Sequence, residues 1–275
     1  MLSLQSHHIT DIYVVVDDHF PTRSKPKGGR PSVLRDSEVA TILIWNCLCK
    51  VRQKTLKDIY DWVELEHAHD FPKRPSYQAF VDHCHQIIPS LLEFLSSLLA
   101  TGTPLRFVDS TMLEVCKLVR KDRHKVAKAV AEMGKNWQGW HYGFKLHAAI
   151  DPDKRLAAIA FTPANMNDAQ MLPRLVNDQT KIAVGDSTYG ASVMRRKIWK
   201  TTGTLVVAPP HYKQNKKLMT DWQWLLLRAR PRVECTFDYL KEHMHLVTSF
   251  PRSINGYLLH YVRILLGYQI WREVS

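Results

Sequence analysis

The sequence predicts a chain in two parts: an all-helical region over residues 1–100, then an α/β region over residues 101–275 built on a mixed five-stranded sheet with flanking helices. Three observations carry this. Apolar residues at helical spacing, with capping signals, fill the first hundred positions. Short apolar or alternating runs bounded by turn residues begin at residue 104, and helical segments fall between the later runs but not between the earlier ones. With 275 residues, 45% of them hydrophobic, the chain can bury a sizeable core.

The helical region reads HHITDIYVVVDDHF, DSEVATILIWNCLCK, TLKDIYDWVEL, SYQAFVDHCHQII and SLLEFLSSLLA. Asp36 or Ser37 caps the second segment, with Glu38 in its first turn. Thr55 and Asp58 form a capping box on the third, and Pro89 breaks between the last two.

Five strands follow in PLRFVDSTMLEV, YGFKLHAAI, LAAIAFT, KIAVGD and TLVVAP. The first three are joined by short connections, as at DPDKR, which suits antiparallel pairing. Helices in DAQMLPRLVND and SVMRRKIWKT precede and follow the fourth strand, and crossovers of that kind favour parallel neighbours. DWQWLLLRARPRVECTFDYLKEHM is a third helix, kinked or restarted at Pro231.

Charge separates the two parts. The chain carries 38 Lys and Arg against 26 Asp and Glu; residues 1–100 hold 11 and 12 of these, and residues 101–275 hold 27 and 14. The whole excess of positive charge therefore lies in the second part, which predicts a polyanion-binding face there, with nucleic acid as the default partner. Five cysteines without CxxC spacing and an N-terminus that turns polar within a few residues point to a reducing cytoplasm. The longest apolar stretches are too short to span a bilayer, and the His-rich pieces HAHD and HCH lack structural zinc spacing.

Three acids stand out in the second part: Asp109 inside an otherwise apolar strand, Asp186 at a strand end in KIAVGDSTYG, and Glu234 on the late helix. Strand periodicity does not account for Asp109, and burying it unpaired would cost several kcal/mol. Asp186 has a plain reading as a turn residue before a short helix. Brought together, the three would form a cluster of like charge that needs a cation, and oxygen donors suit magnesium. Two such ions can activate a water or hydroxyl and stabilise the leaving oxygen of a phosphodiester.

These residues carry a resemblance. VDST, VGDSTYG and the run Arg230, Glu234, Lys241 resemble the DDE transposases of bacterial insertion sequences, whose catalytic domain is ribonuclease H-like. GGRPSVLRDSEVATI, DSTMLEVCK, WHYGFKLH and TPANMNDAQML are similar to the insertion sequence 982 group in particular. The related signature has Tyr seven residues before the Glu, where Leu227 stands here. The resemblance implies a ribonuclease H-like fold, Asp109, Asp186 and Glu234 as catalytic and metal-binding residues, and two Mg2+ ions for which Mn2+ substitutes. It further implies double-stranded DNA as partner, both transposon terminal inverted repeats and target, and a homodimer on DNA in the bacterial cytoplasm, associated with the nucleoid. A nuclease of the same fold without strand transfer, or a DNA-binding regulator without turnover, are the alternatives.

Further DNA contacts are expected from Lys145 and His147, which share one face of the strand WHYGFKLH, and from Arg230 and Lys241, which share a helical face with Glu234. Lys121 and Arg123 lie in the basic run KLVRKDRHKVAK, and Arg30 in RSKPKGGRPSVLR, which resembles minor-groove arms. The first hundred residues are assigned to DNA recognition or dimerisation. Asn165, Asn167 and Asp168 read as helix caps, and Trp137, Trp140, Trp222 and Trp224 as core residues, with base stacking as the other use.

Overall fold

The computed structural model describes residues 8–20, 32–49, 52–210 and 219–274. Arg30 lies outside the described residues. The chain forms two compact units, each treated by itself below.

The first unit gathers the residues up to Leu98 with Met244–Leu246 and the residues from Phe250 onward. Its helices are α1 (Ile9–Asp17), α2 (Asp36–Leu48), α3 (Leu56–Glu66), α4 (Tyr77–Gln86), α5 (Ile88–Leu98) and the last helix of the chain, Ile254–Val274. Local chemistry fixes their starts. The Thr55 hydroxyl accepts from Asp58 N at 3.1 Å and the Asp58 carboxylate accepts from Thr55 N at 3.2 Å, so two donors at the start of α3 are satisfied reciprocally. Helix α2 starts at Asp36, one place earlier than a cap at Asp36 requires, because the Glu38 carboxylate accepts from Arg35 N at 2.6 Å and makes Arg35 the capping position. The last helix packs on α2 and α5 and is buried along most of its circumference. A division at residue 100 assigns it to the α/β part; a helix apolar on nearly every side needs helical neighbours, and α2 and α5 supply them.

The second unit runs from Leu99 to His243, with Val247–Ser249. Its strands are β1 (Leu105–Glu114), β2 (Glu132–Asn136), β3 (Gly139–Ile150), β4 (Leu156–Pro163), β5 (Ile182–Val184) and β6 (Leu205–Val207), and its helices α6 (Asp168–Leu175), α7 (Ser192–Thr202), α8 (Asp221–Ala229) and α9 (Pro231–Asp238). Strands β1, β3 and β4 pair antiparallel, and β5 and β6 extend the sheet in parallel from β1. Loop length decides this: Asp151–Arg155 is a tight connection, while α6 and α7 provide crossovers. β2 is a strand beyond the five expected, pairing antiparallel with the first half of β3. Val108, Ala149, Leu172, Leu175, Ala183, Tyr189, Ile198 and Val206 form a core between the sheet and helices α6 and α7. Such a mixed sheet with flanking helices is consistent with a ribonuclease H-like fold. No helix among the described residues is long and apolar enough to cross a membrane.

Candidate active site

Two of the three acids are placed by strand register. β1 and β5 run parallel, with Phe107 opposite Val184. Asp109 and Asp186 each stand two residues beyond that pair, Asp109 midway along β1 and Asp186 just past the end of β5, so they come level on adjacent strands. Gly185 permits the turn: a Cβ there would lie 2.6 Å from the Tyr189 ring and 3.0 Å from Val108, so any side chain would push the ring or the strand away.

Asp186 is itself the cap of the 3-10 turn Ser187–Gly190. Its Oδ1 accepts from Thr188 N at 2.9 Å, and its Oδ2 accepts from the Thr188 hydroxyl at 3.1 Å. The turn-forming reading of this residue therefore holds alongside its position in the site. Glu234 comes from α9, which restarts at Pro231 after α8 and packs on β1.

A cleft of about 690 Å³ is lined by Asp109, Asp186 and Glu234 together. Arg230, at the junction of α8 and α9, spans two of them: Nη2 donates to Asp109 Oδ2 at 2.9 Å and Nη1 donates to Glu234 Oε1 at 2.8 Å. Burial pushes the Asp109 carboxyl up to about 6, against the pull of Arg230 and of the Ser110 N–H; the charges of Asp186 and Glu234 raise it further. Three carboxylates thus share the cleft, and the Arg230 guanidinium bonds two of them.

The donor set is all oxygen and anionic, which suits a hard divalent ion. As the side chains stand, no three carboxylates, imidazoles or thiols among the described residues are grouped to hold one metal ion; the Arg230 guanidinium ties up Asp109 and Glu234. The chemistry of the donor set fits such an ion, and Arg230 occupies one oxygen each of Asp109 and Glu234.

The flanking residues divide. Lys145 lines the cleft, but its ammonium is committed to Met166 O at 2.8 Å and Asp168 Oδ1 at 2.9 Å. His147 does not reach the cleft. It is fully buried, with Nε2 2.9 Å from the Thr162 hydroxyl and Nδ1 3.6 Å from Asp168 Oδ1. Burial drives its pKa down to about 4, against the attraction of Asp168 and with the repulsion of Lys145. It is a neutral core histidine, and the expected contact with DNA is corrected on that ground. Lys241 lines the cleft from the π turn Tyr239–His243, where burial pulls its ammonium pKa down. Lys121 and Arg123 lie exposed on the 3-10 turn Leu118–Arg123, outside the cleft lining.

Sequence reading missed Asp168. Asn167 is the cap of α6, accepting from Ala169 N at 2.9 Å, whereas Asp168 turns into the cleft and anchors Lys145. An acid in the first turn of a helix is ordinary, so nothing local flags it. The tryptophans also need correction: Trp137 is 90% exposed, and Trp140, Trp222 and Trp224 are each about half exposed or close to it. None is a core residue; Trp137 and Trp140 stand on the β2–β3 hairpin, and α8 buries no residue at all.

The family model of the transposase DDE domain matches residues 99–254. That span covers more than half of the chain, including Asp109, Asp186 and Glu234 and every strand of the sheet. The chain belongs to the transposase DDE domain family.

Proposed function

We propose that this chain is the transposase of a bacterial insertion sequence, of the insertion sequence 982 group, that cuts DNA at the element ends and joins the freed 3′-hydroxyl to target DNA. The observation that carries this is the convergence of Asp109, Asp186 and Glu234, from β1, the end of β5 and α9, on a single cleft in a member of the transposase DDE domain family.

Asp109 and Asp186 would bind both of two magnesium ions, or manganese in their place, and Glu234 one of them. When bound, the ions supply activation of the attacking oxygen and charge neutralisation at the leaving oxygen. In the first step water attacks phosphorus, the P–O3′ bond breaks, and the 3′ oxygen leaves and is protonated. In the second, that 3′-hydroxyl loses its proton and attacks a target phosphodiester, whose own 3′ oxygen departs.

The chain's cations serve the same geometry. Arg230, once released from Asp109 and Glu234, has its guanidinium free for a phosphate, and Lys241 adds charge from the neighbouring turn. Lys145 is held by Asp168 at the cleft wall. Two copies acting on two ends, with the helical unit serving recognition or pairing, complete the scheme, and the double-stranded terminal repeats and target are the substrates.

Asp186→Asn tests it. Cleavage of DNA carrying the ends of the encoding element should fall by on the order of 100- to 1,000-fold, while binding measured by gel shift persists. Near wild-type cleavage by this variant would remove Asp186 from the chemistry. Joined products from the wild-type chain support transposition, and nicks alone point to a nuclease of the same fold.

A further inference from the structure

The tip of the β2–β3 hairpin is a loop of two residues, Trp137 and Gln138. It is firmly built. Asn136 Oδ1 accepts from Gln138 N at 2.8 Å and lies 2.7 Å from His141 Nε2, while His141 Nδ1 bonds the Glu114 carboxylate on β1. Gly139 closes the loop at a φ of 124°, where a side chain would be strained.

The indole presented by this scaffold is 90% exposed. The fold does not ask for it. Two-residue hairpin loops favour Asn, Asp and Gly, and an aromatic ring contributes most when it is buried. Trp140, on the adjoining strand, carries the Lys135 ammonium 5.6 Å from its ring centre. Trp137 lines the same cleft as the three acids, which Asp168 and Asp238 also line, together with Lys135, Lys145, Arg230 and Lys241.

A flat apolar face beside Lys and Arg side chains is how proteins hold unpaired nucleic acid: cations follow the phosphates and the ring takes a base. In a duplex each base face is already stacked on its neighbours, so a lone indole gains only from a base released from its pair. Resting on the reading of the cleft as the site of DNA cutting, we propose that Trp137 is the stacking platform for an unpaired nucleobase of the strand whose phosphate enters the cleft. It thereby favours DNA that is open beside the cut over continuous duplex.

The test uses the full chain in EDTA, so that no cutting occurs. The probes are a blunt duplex and the same duplex with a short unpaired overhang containing 2-aminopurine. The wild-type chain should quench the 2-aminopurine and bind the overhang duplex more tightly. Trp137→Ala should lose the quenching and roughly 5- to 100-fold of affinity for the overhang duplex, with blunt-duplex binding within about twofold. Trp137→Phe should keep part of both, because a phenyl ring also stacks. Equal weakening on both probes, or full quenching retained by Trp137→Ala, would overturn the role. A wild-type chain that binds neither probe would overturn the reading of the cleft itself.

Discussion

At the scale of single residues, Arg230 is the most consequential side chain after the acids. Its two hydrogen bonds neutralise part of the charge on Asp109 and Glu234, so it opposes any cation that seeks the same oxygens. Arg230→Ala should therefore raise the affinity of the DNA-free chain for Mn2+ by on the order of tenfold, read by isothermal titration calorimetry, while slowing DNA cleavage. Weaker Mn2+ binding in that variant would mean that the guanidinium organises the carboxylates and does not compete for them. The residue scale also shows what a sequence displays and what it conceals. Asp109 is visible because an acid inside an apolar strand has no structural excuse. Asp168 is hidden because an acid in the first turn of a helix has a good one. Trp137 reads as a core residue because indoles are mostly buried, and only the hairpin geometry shows that this one is not.

At the scale of elements, β3 is the strand that joins sheet and site. It pairs with β1, β2 and β4 and places Lys145 and His147 under Asp168 of α6. His147 binds its proton far less readily when folded, about 4 against an ordinary 6.5, so its contribution to stability is complete above pH 6.5 and is lost as pH falls through about 4. The total loss can amount to about 3 kcal/mol. His260 in the helical unit, which burial brings down to about 3, adds a slope of the same sign. Chemical denaturation between pH 7 and pH 4 should therefore show wild type losing more stability than His147→Gln. Parallel pH profiles for the two would remove His147 from the acid response. Five strands and their pairing sense are legible from alternation and connection length. β2 is not, since EMGKN holds a single large apolar side chain and gives no alternation to read.

At the scale of the whole molecule, the charge imbalance belongs to residues 101–275. For Lys121 and Arg123, exposed on the 3-10 turn Leu118–Arg123, we propose phosphate contacts away from the cleft lining. Replacing both by Ala should lower the steepness of log K against log salt by roughly 0.9 for each phosphate no longer neutralised, as measured by fluorescence anisotropy on duplex DNA. An unchanged slope would make them ordinary solvated charges. A change of texture near residue 100 is legible in the sequence, but the packing of the last helix on α2 and α5 is not, because an apolar helix carries no mark of the partner it will choose.

That last helix gives the chain a particular order of manufacture. Its partners α2 and α5 are translated early, yet the segment that covers them is polymerised only after the whole α/β unit has been. The helical unit must spend that interval with apolar faces open to water, where off-pathway association is the standing hazard. The six described strands of the sheet-bearing unit, by contrast, are all translated before Met244.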